Sequence, residues 1–194
     1  MKKSLQFFTL ALLLFISVQS YAANKPKYIF LFIGDGMGIS QVALTEAYLA
    51  SLKGVRGSEP LIFSKFPSFG LCTTYSANYH ITCSSAAGTA LSTGTKTNNY
   101  MLGVDPDTNK LKSISYKLHE KGYSIGIIST VPLEQATPAA FYANSASRKS
   151  YYDISLQLPQ SGFEFFGGGD FSEPKGKNSD KRDVFEILAD SSYS

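Results

Sequence analysis

The chain has 194 residues, 43% of them hydrophobic, and its 18 Lys and Arg face 15 Asp and Glu for a formal net charge of +3. That length suits one domain with one core. The near balance of charge gives no case for nucleic acid or an acidic membrane as partner, and no internal repeat or low-complexity tract is present.

Taken in chain order, Lys2 and Lys3 precede an apolar stretch from Leu5 to Val18, and Ser20-Tyr21-Ala22 places small residues at the two cleavage-recognition positions. This predicts a secretory signal peptide over residues 1–22, cut after Ala22. The stretch is too short for a membrane span, so the mature chain is expected to be exported, to the periplasm or beyond, with no membrane association after cleavage. Tyr28 to Ile33 is a continuous apolar run, as in a strand buried on both faces of a parallel sheet. It leads through Gly34-Asp35-Gly36-Met37-Gly38 into a helix over 39–52, where Val42, Thr45, Leu49 and Leu52 form a stripe at helical spacing assigned to the core. A loop over 54–60 precedes a second strand over 69–76 and a helix over 85–92. Residues 93–112 read as a long loop with a turn at Asp105-Pro106-Asp107-Thr108-Asn109. A helix over 113–121, a strand over 124–129, helices near 138–145 and 150–158 and a strand over 163–166 follow; Ser172 to Lys181 is polar loop, and a helix begins near Arg182. The alternating order predicts an α/β fold, a mainly parallel, doubly wound sheet with helices on both faces.

Three segments carry chemistry. His80-Ile81-Thr82-Cys83-Ser84-Ser85-Ala86-Ala87-Gly88-Thr89-Ala90 places two serines among small residues at a strand-to-helix turn. A hydroxyl there either caps the helix or faces an anion such as phosphate, drawn by the positive helix end and its free N–H groups. Asp35 follows a strand, where ligands of open α/β sheets bind, and the glycines around it clear space for a metal; the alternative is a glycine-rich turn. The spacing is not that of a dinucleotide or P-loop motif. The third segment is Leu133-Glu134-Gln135-Ala136-Thr137-Pro138-Ala139-Ala140 followed by Ser147-Arg148-Lys149. Thr137 and Pro138 suit the cap and first position of a short helix. Arg148 falls about three turns later and offers a planar fork matched to two phosphate oxygens. Of two histidines, His119 reads as a cation at a helix C-terminus, and His80 stands in the loop before Ser84.

Taken together, I-G-D-G-M-G at 33–38, I-T-C-S-S-A-A-G-T-A at 81–90, S-T-G-T-K-T at 92–97, L-G-V-D at 102–105, A-T-P-A-A at 136–140, S-R-K at 147–149 and F-G-G-G at 166–169 resemble the alkaline phosphatase family. The resemblance implies a metal-dependent phosphomonoesterase acting on small phosphate monoesters through a phosphoserine intermediate, with two zinc ions and one magnesium, commonly as a homodimer. It makes Ser84 the nucleophile, Arg148 the holder of the non-bridging phosphate oxygens, Asp35 a bridge between one zinc and the magnesium, and Thr137 a magnesium ligand. Gln135 stands where the family has Asp or His and offers magnesium a neutral carbonyl oxygen. Cys83 stands where the family has an Asp that helps orient the Arg. The family supplies no bridge between Cys72 and Cys83, which are expected to stay unpaired. The family's Asp-x-x-x-His, later Asp-His and further His motifs find no counterpart in this sequence. Residues 23–194 are therefore read as the N-terminal part of one alkaline phosphatase-like catalytic domain, a fragment or a truncated product. The alternatives are a related phosphodiesterase or phosphomutase, or a non-catalytic exported anion-binding domain.

Overall fold

A computed structural model describes residues 26–191 and residue 193. The signal peptide expected over residues 1–22 lies outside the described residues. Two compact units are present, Met1–Gly34 and Asp35–Ser194. No helix among the described residues is long and apolar enough to cross a membrane.

In the first unit, residues 26–34 form neither helix nor strand ladder. The doubly buried strand expected over 28–33 is not formed there; Phe30 is 78% and Phe32 90% exposed. The apolar run supplies strand propensity, but a strand exists only through a partner's hydrogen bonds, and none is supplied among the described residues.

The second unit carries the regular structure. Helix α1 spans Ile39–Leu52, opened by Gly38, whose N–H donates to the Gln41 side chain at 3.0 Å. Its expected core stripe is only half packed: Val42 and Leu49 are half-buried, whereas Thr45 is exposed, Leu52 is 65% exposed, and Ala50, outside the stripe, is the fully buried residue of the helix. The second expected strand, 69–76, likewise forms no ladder. Its end is held by Ser76, Ala77 and Lys96: the Ala77 N–H donates to the Thr97 carbonyl at 2.8 Å, and the Lys96 ammonium sits over the Tyr75 ring, 3.4 Å from its centroid.

Helix α2 spans Ser84–Thr93 and closes on Gly94 in the left-handed conformation, φ 79°. The segment expected as one long loop contains two isolated bridges, Leu102 with Ser145 and Val104 with Lys110. The turn at Asp105 forms as expected, its carboxylate accepting from the Asp107 and Asn109 N–H groups at 2.9 and 2.8 Å. Helix α3 spans Ile114–His119 and strand β1 Gly126–Ile128. Short helices α4, Ala136–Ala139, and α5, Tyr151–Ser155, precede β2, Phe165–Gly167, and α6 closes the unit over Val184–Asp190. Asp183 caps α6, accepting from the Phe185 N–H at 3.0 Å. Strands β1 and β2 pair in parallel, Gly126 opposite Phe165 and Ile128 opposite Gly167. Two helices and their turns cover the crossover between them, as a parallel pair requires.

The architecture is α/β, with a parallel sheet of two strands among the described residues. Its core gathers Leu102, Ile127, Leu133, Tyr142, Ile154, Leu158, Phe163, Phe171 and Val184. Phe163 anchors the aromatic part, its ring 4.8 Å from Tyr116 and 6.2 Å from Phe166. Polar tips inside are satisfied: the Tyr142 hydroxyl donates to the Leu133 carbonyl at 3.0 Å, and Tyr116 to the Tyr142 carbonyl at 2.8 Å.

Candidate active site

Asp35 gathers the site. It lies in the turn before α1, where Gly36 takes φ 69°, a left-handed value that glycine adopts without a Cβ clash. One carboxylate oxygen, Oδ1, accepts from the Ser84 hydroxyl at 3.2 Å; the other, Oδ2, accepts from the Thr137 hydroxyl at 2.7 Å. Three residues separated by up to 102 positions thus meet at one carboxylate.

Their approach depends on small residues. Ser84 occupies the first turn of α2 and Thr137 lies in α4. Where the two helices cross, Gly88 faces Ala140 so closely that a Cβ at Gly88 would lie 3.0 Å from the Ala140 Cβ. Ala86, Ala136, Ala139 and Ala140 are buried beside it. The Ala- and Gly-rich run therefore sets an interhelix distance as well as clearing room for a ligand.

Two local expectations change. Ser84 is not a capping residue: Cys83 is the N-cap of α2, and the Ser84 hydroxyl donates to Asp35 instead. Thr137 does not begin α4 either; Gln135 is its N-cap, and Pro138 stands third in the helix. Because α4 ends at Ala139, Arg148 is carried by a later turn rather than three turns along a helix.

Arg148 is half-buried and joins the site through its backbone: its N–H donates to the Tyr100 carbonyl at 2.7 Å. Among the described residues its guanidinium makes no hydrogen bond to Ser84 or Asp35. Gln135 is half-buried, two residues before Thr137. His80 is exposed in a shallow depression lined by Tyr75 to Tyr79 and does not reach Asp35. His119 ends α3 as expected; its Nε2 lies 3.4 Å from Glu164 Oε1 and its ring meets the edge of Phe163.

The loop before Ser84 is held by residues that the sequence did not single out. Asn99 accepts from the Cys83 N–H at 3.1 Å and donates to the Ile81 carbonyl at 3.0 Å. The Cys83 sulfur accepts from the Tyr100 N–H at 3.1 Å and lies 3.0 Å from the buried Ser85 hydroxyl. Burial pushes the Cys83 thiol up, but hydrogen bonds from the Ser85 hydroxyl and from the Tyr100, Ala86 and Ser85 N–H groups outweigh it and leave the thiol below its ordinary value. Cys72 and Cys83 are both free thiols. The only sequence signal for this clamp is the Asn98-Asn99 pair, polar side chains able to bond backbone on both sides. Glu134 is a further polar residue that no sequence pattern marks. It is buried, with Oε1 accepting from the Ser172 N–H at 2.5 Å and Oε2 without a protein partner.

The donors at Asp35 are all oxygens: a carboxylate and two hydroxyls. That chemistry fits magnesium, a hard cation that takes few protein carboxylates. Zinc prefers imidazole, thiolate and carboxylate in number; Asp35 and Ser84 offer it two oxygens, and no cluster of three or more His, Cys, Asp and Glu suited to a metal occurs among the described residues.

The family model described as alkaline phosphatase matches residues 26–185. An alkaline phosphatase of Gadus morhua is 34% identical over 152 residues, 73% of this chain and 32% of that protein. Alkaline phosphatase 3 of Bacillus subtilis is 36% identical over 134 residues, 68% of this chain and 29% of its own. Among solved structures, a His-to-Glu mutant of the TAB5 alkaline phosphatase, described with Mg bound in its M3 site, superposes with a TM-score of 0.74 at 32% identity, covering 87% of this chain and 46% of that one. The structure of the alkaline phosphatase from the Antarctic bacterium TAB5 gives 0.73. The chain thus spans about a third of the curated relatives' length and under half of the solved chains. Since family model, relatives and fold agree over the same stretch, the chain belongs to the alkaline phosphatase family.

Proposed function

We propose that this chain carries the phosphate-handling side of a metal-dependent phosphomonoesterase acting through a phosphoserine intermediate at Ser84. The observation that carries the reading is the single carboxylate of Asp35, which accepts from Ser84 on one oxygen and from Thr137 on the other. By holding the Ser84 hydroxyl proton at Oδ1, Asp35 fixes the Oγ lone pairs toward an incoming phosphorus and lowers the cost of losing that proton. The Oγ–P bond forms as the ester P–O bond breaks in line with it. Arg148 neutralises charge on the non-bridging oxygens. Asp35, Thr137 and Gln135 would hold magnesium, and Asp35 with Ser84 would supply donors to zinc, whose further ligands come from the part of the family's length that this chain does not span. When bound, such ions stabilise a serine alkoxide and the charge on the entering and leaving oxygens.

The charged, apolar and small-residue pattern of residues 1–22 supports export, and family membership supports small phosphate monoesters as substrates and a homodimeric assembly. Near-balanced charge gives no basis for nucleic acid as a substrate.

The reading is tested by incubating the chain with an aryl phosphate, zinc and magnesium, then searching for phosphate on Ser84 by mass spectrometry. A phosphorylated Ser84 peptide, lost in Ser84→Ala, is the expected result. Phosphate binding without phosphorylation or turnover would instead support the non-catalytic anion-binding alternative.

A further inference from the structure

We propose that the buried carboxylate of Glu134 supplies the second negative charge of the cation site at Asp35, acting through space rather than as a ligand. The proposal rests on the reading above of Asp35, Gln135 and Thr137 as holders of magnesium.

A structural role does not account for Glu134. The residue is 1% exposed. Its Oε1 accepts from the Ser172 N–H at 2.5 Å, while Oε2, equally buried, has no hydrogen-bond partner among the described residues. Among them, no Lys, Arg or His forms an ion pair with it either. A carboxylate buried without a counter-charge carries a desolvation cost that nothing around it offsets. An amide of the same shape would hold the Ser172 N–H through its carbonyl oxygen. The bond to Ser172 therefore explains the acceptor and not the charge.

A cation three residues further on would explain it. Glu134 directly precedes Gln135 and stands three residues before Thr137, whose hydroxyl donates to Asp35 Oδ2 at 2.7 Å. That span is held at both ends. Before it, the pairing of β1 and β2 runs on past the strands: the Ser129 N–H donates to the Gly167 carbonyl at 2.8 Å, the Gly169 N–H to the Val131 carbonyl at 3.1 Å and the Leu133 N–H to the Asp170 carbonyl at 3.3 Å. After it, Ala140 meets Gly88 of α2. A charge fixed in the interior is little screened and acts over several ångströms, with twice the energy on a divalent ion that it has on a monovalent one. The field of Glu134 already reaches a neighbour: burial pushes the Tyr142 phenol up, and the Glu134 carboxylate adds to it. Asp35 and Glu134 together would balance the two charges of magnesium, to which Gln135 and Thr137 bring none.

The test measures magnesium affinity by calorimetry, and the melting temperature with and without magnesium, on the full chain. Glu134→Gln keeps an acceptor for Ser172 and removes the charge. It should weaken magnesium binding about tenfold, yet melt without magnesium at or above the wild-type temperature. Moving the charge one residue along, in Glu134→Gln with Gln135→Glu, should restore the affinity. Glu134→Asp keeps the charge but is too short for the Ser172 N–H; it should melt lower and still bind magnesium, and it decides the matter if Glu134→Gln does not fold. Wild-type magnesium affinity in Glu134→Gln would overturn the proposal and leave the reading of the site standing. A Glu134→Asp variant that folds and loses magnesium would overturn it too, because the bond rather than the charge would then matter. A wild-type chain that binds inorganic phosphate but no magnesium would overturn the cation reading and the proposal with it.

Discussion

At the scale of single residues, Tyr100 and Glu164 separate backbone effects from charge. Tyr100→Gly keeps both backbone bonds and relieves the left-handed strain of φ 71°, about 1 kcal/mol, while freeing the unfolded chain by a similar amount. Stability to urea should therefore stay near wild type. Tyr100→Pro fixes φ near −65° and removes the N–H that reaches Cys83, so it should cost about 3 kcal/mol or more in the same titration. Glu164 accepts from the Ile125 N–H at 2.6 Å, the main cause that holds its carboxyl below the usual carboxylate value; burial opposes it weakly, and His119 adds to it. A carboxyl depressed in the fold contributes stability above its unfolded pKa of about 4.3 and loses it as pH falls through the folded value. Because the side chain is half exposed, the contribution stays under about 1 kcal/mol. The melting temperature of wild type should exceed that of Glu164→Gln near neutrality, and the gap should close in acid. A gap unchanged from neutral pH to well below 4 would contradict the assignment, that value again being about the unfolded pKa.

Among the elements, the crossing of α2 and α4 sets the site, and Gly88 is its contact point. A Cβ there would meet Ala140 at 3.0 Å and the Ala136 carbonyl at 3.6 Å. Gly88→Ala gains helix propensity of about 1 kcal/mol against a contact that a few tenths of an ångström relieve, so the two nearly cancel. Gly88→Val adds bulk that the buried alanines cannot accept and should cost about 2 kcal/mol. It should also weaken magnesium binding measured by calorimetry, because it spreads Ser84 and Thr137 apart; loss of stability with unchanged magnesium affinity would uncouple the crossing from the site. Helical periodicity made the span of α1 legible in the sequence, and the run of small residues after the strand-to-helix turn made that of α2 legible to within a residue at each end. Strands at 28–33 and 69–76 were not, because an apolar run reports burial propensity while a ladder depends on a partner elsewhere. The meeting of Asp35, Ser84 and Thr137 was legible only through the family's motif order, since nothing local in the chain records a contact across 102 positions. The Asn99–Tyr100 clamp left still less trace, because bonds to backbone N–H and carbonyl groups impose little on the partner's side-chain identity.

Across the whole second unit, the core and the apolar surface are poorly matched, and that imbalance has a consequence in solution. The buried cluster runs from Leu102 to Val184, while Ile62, Phe66, Phe69, Leu71 and Ile81, all earlier in the chain, are each more than half exposed. Soluble monomers rarely leave apolar surface of that extent uncovered, and at about 25 cal/mol per Å² such side chains gain appreciably from any apolar contact. The folded chain should bind an apolar fluorescent dye strongly below its melting transition, and its sedimentation should depend on concentration. Phe69→Ser with Leu71→Ser should cut both effects while leaving the melting temperature nearly unchanged, because neither residue belongs to the buried cluster. If the double variant instead melts well below wild type, residues 69–71 are packed in solution and the uncovered apolar surface is correspondingly smaller. If dye binding persists at an unchanged melting temperature, the uncovered apolar surface lies at Ile62, Phe66 and Ile81, and the same pair of measurements on serine variants there would locate it.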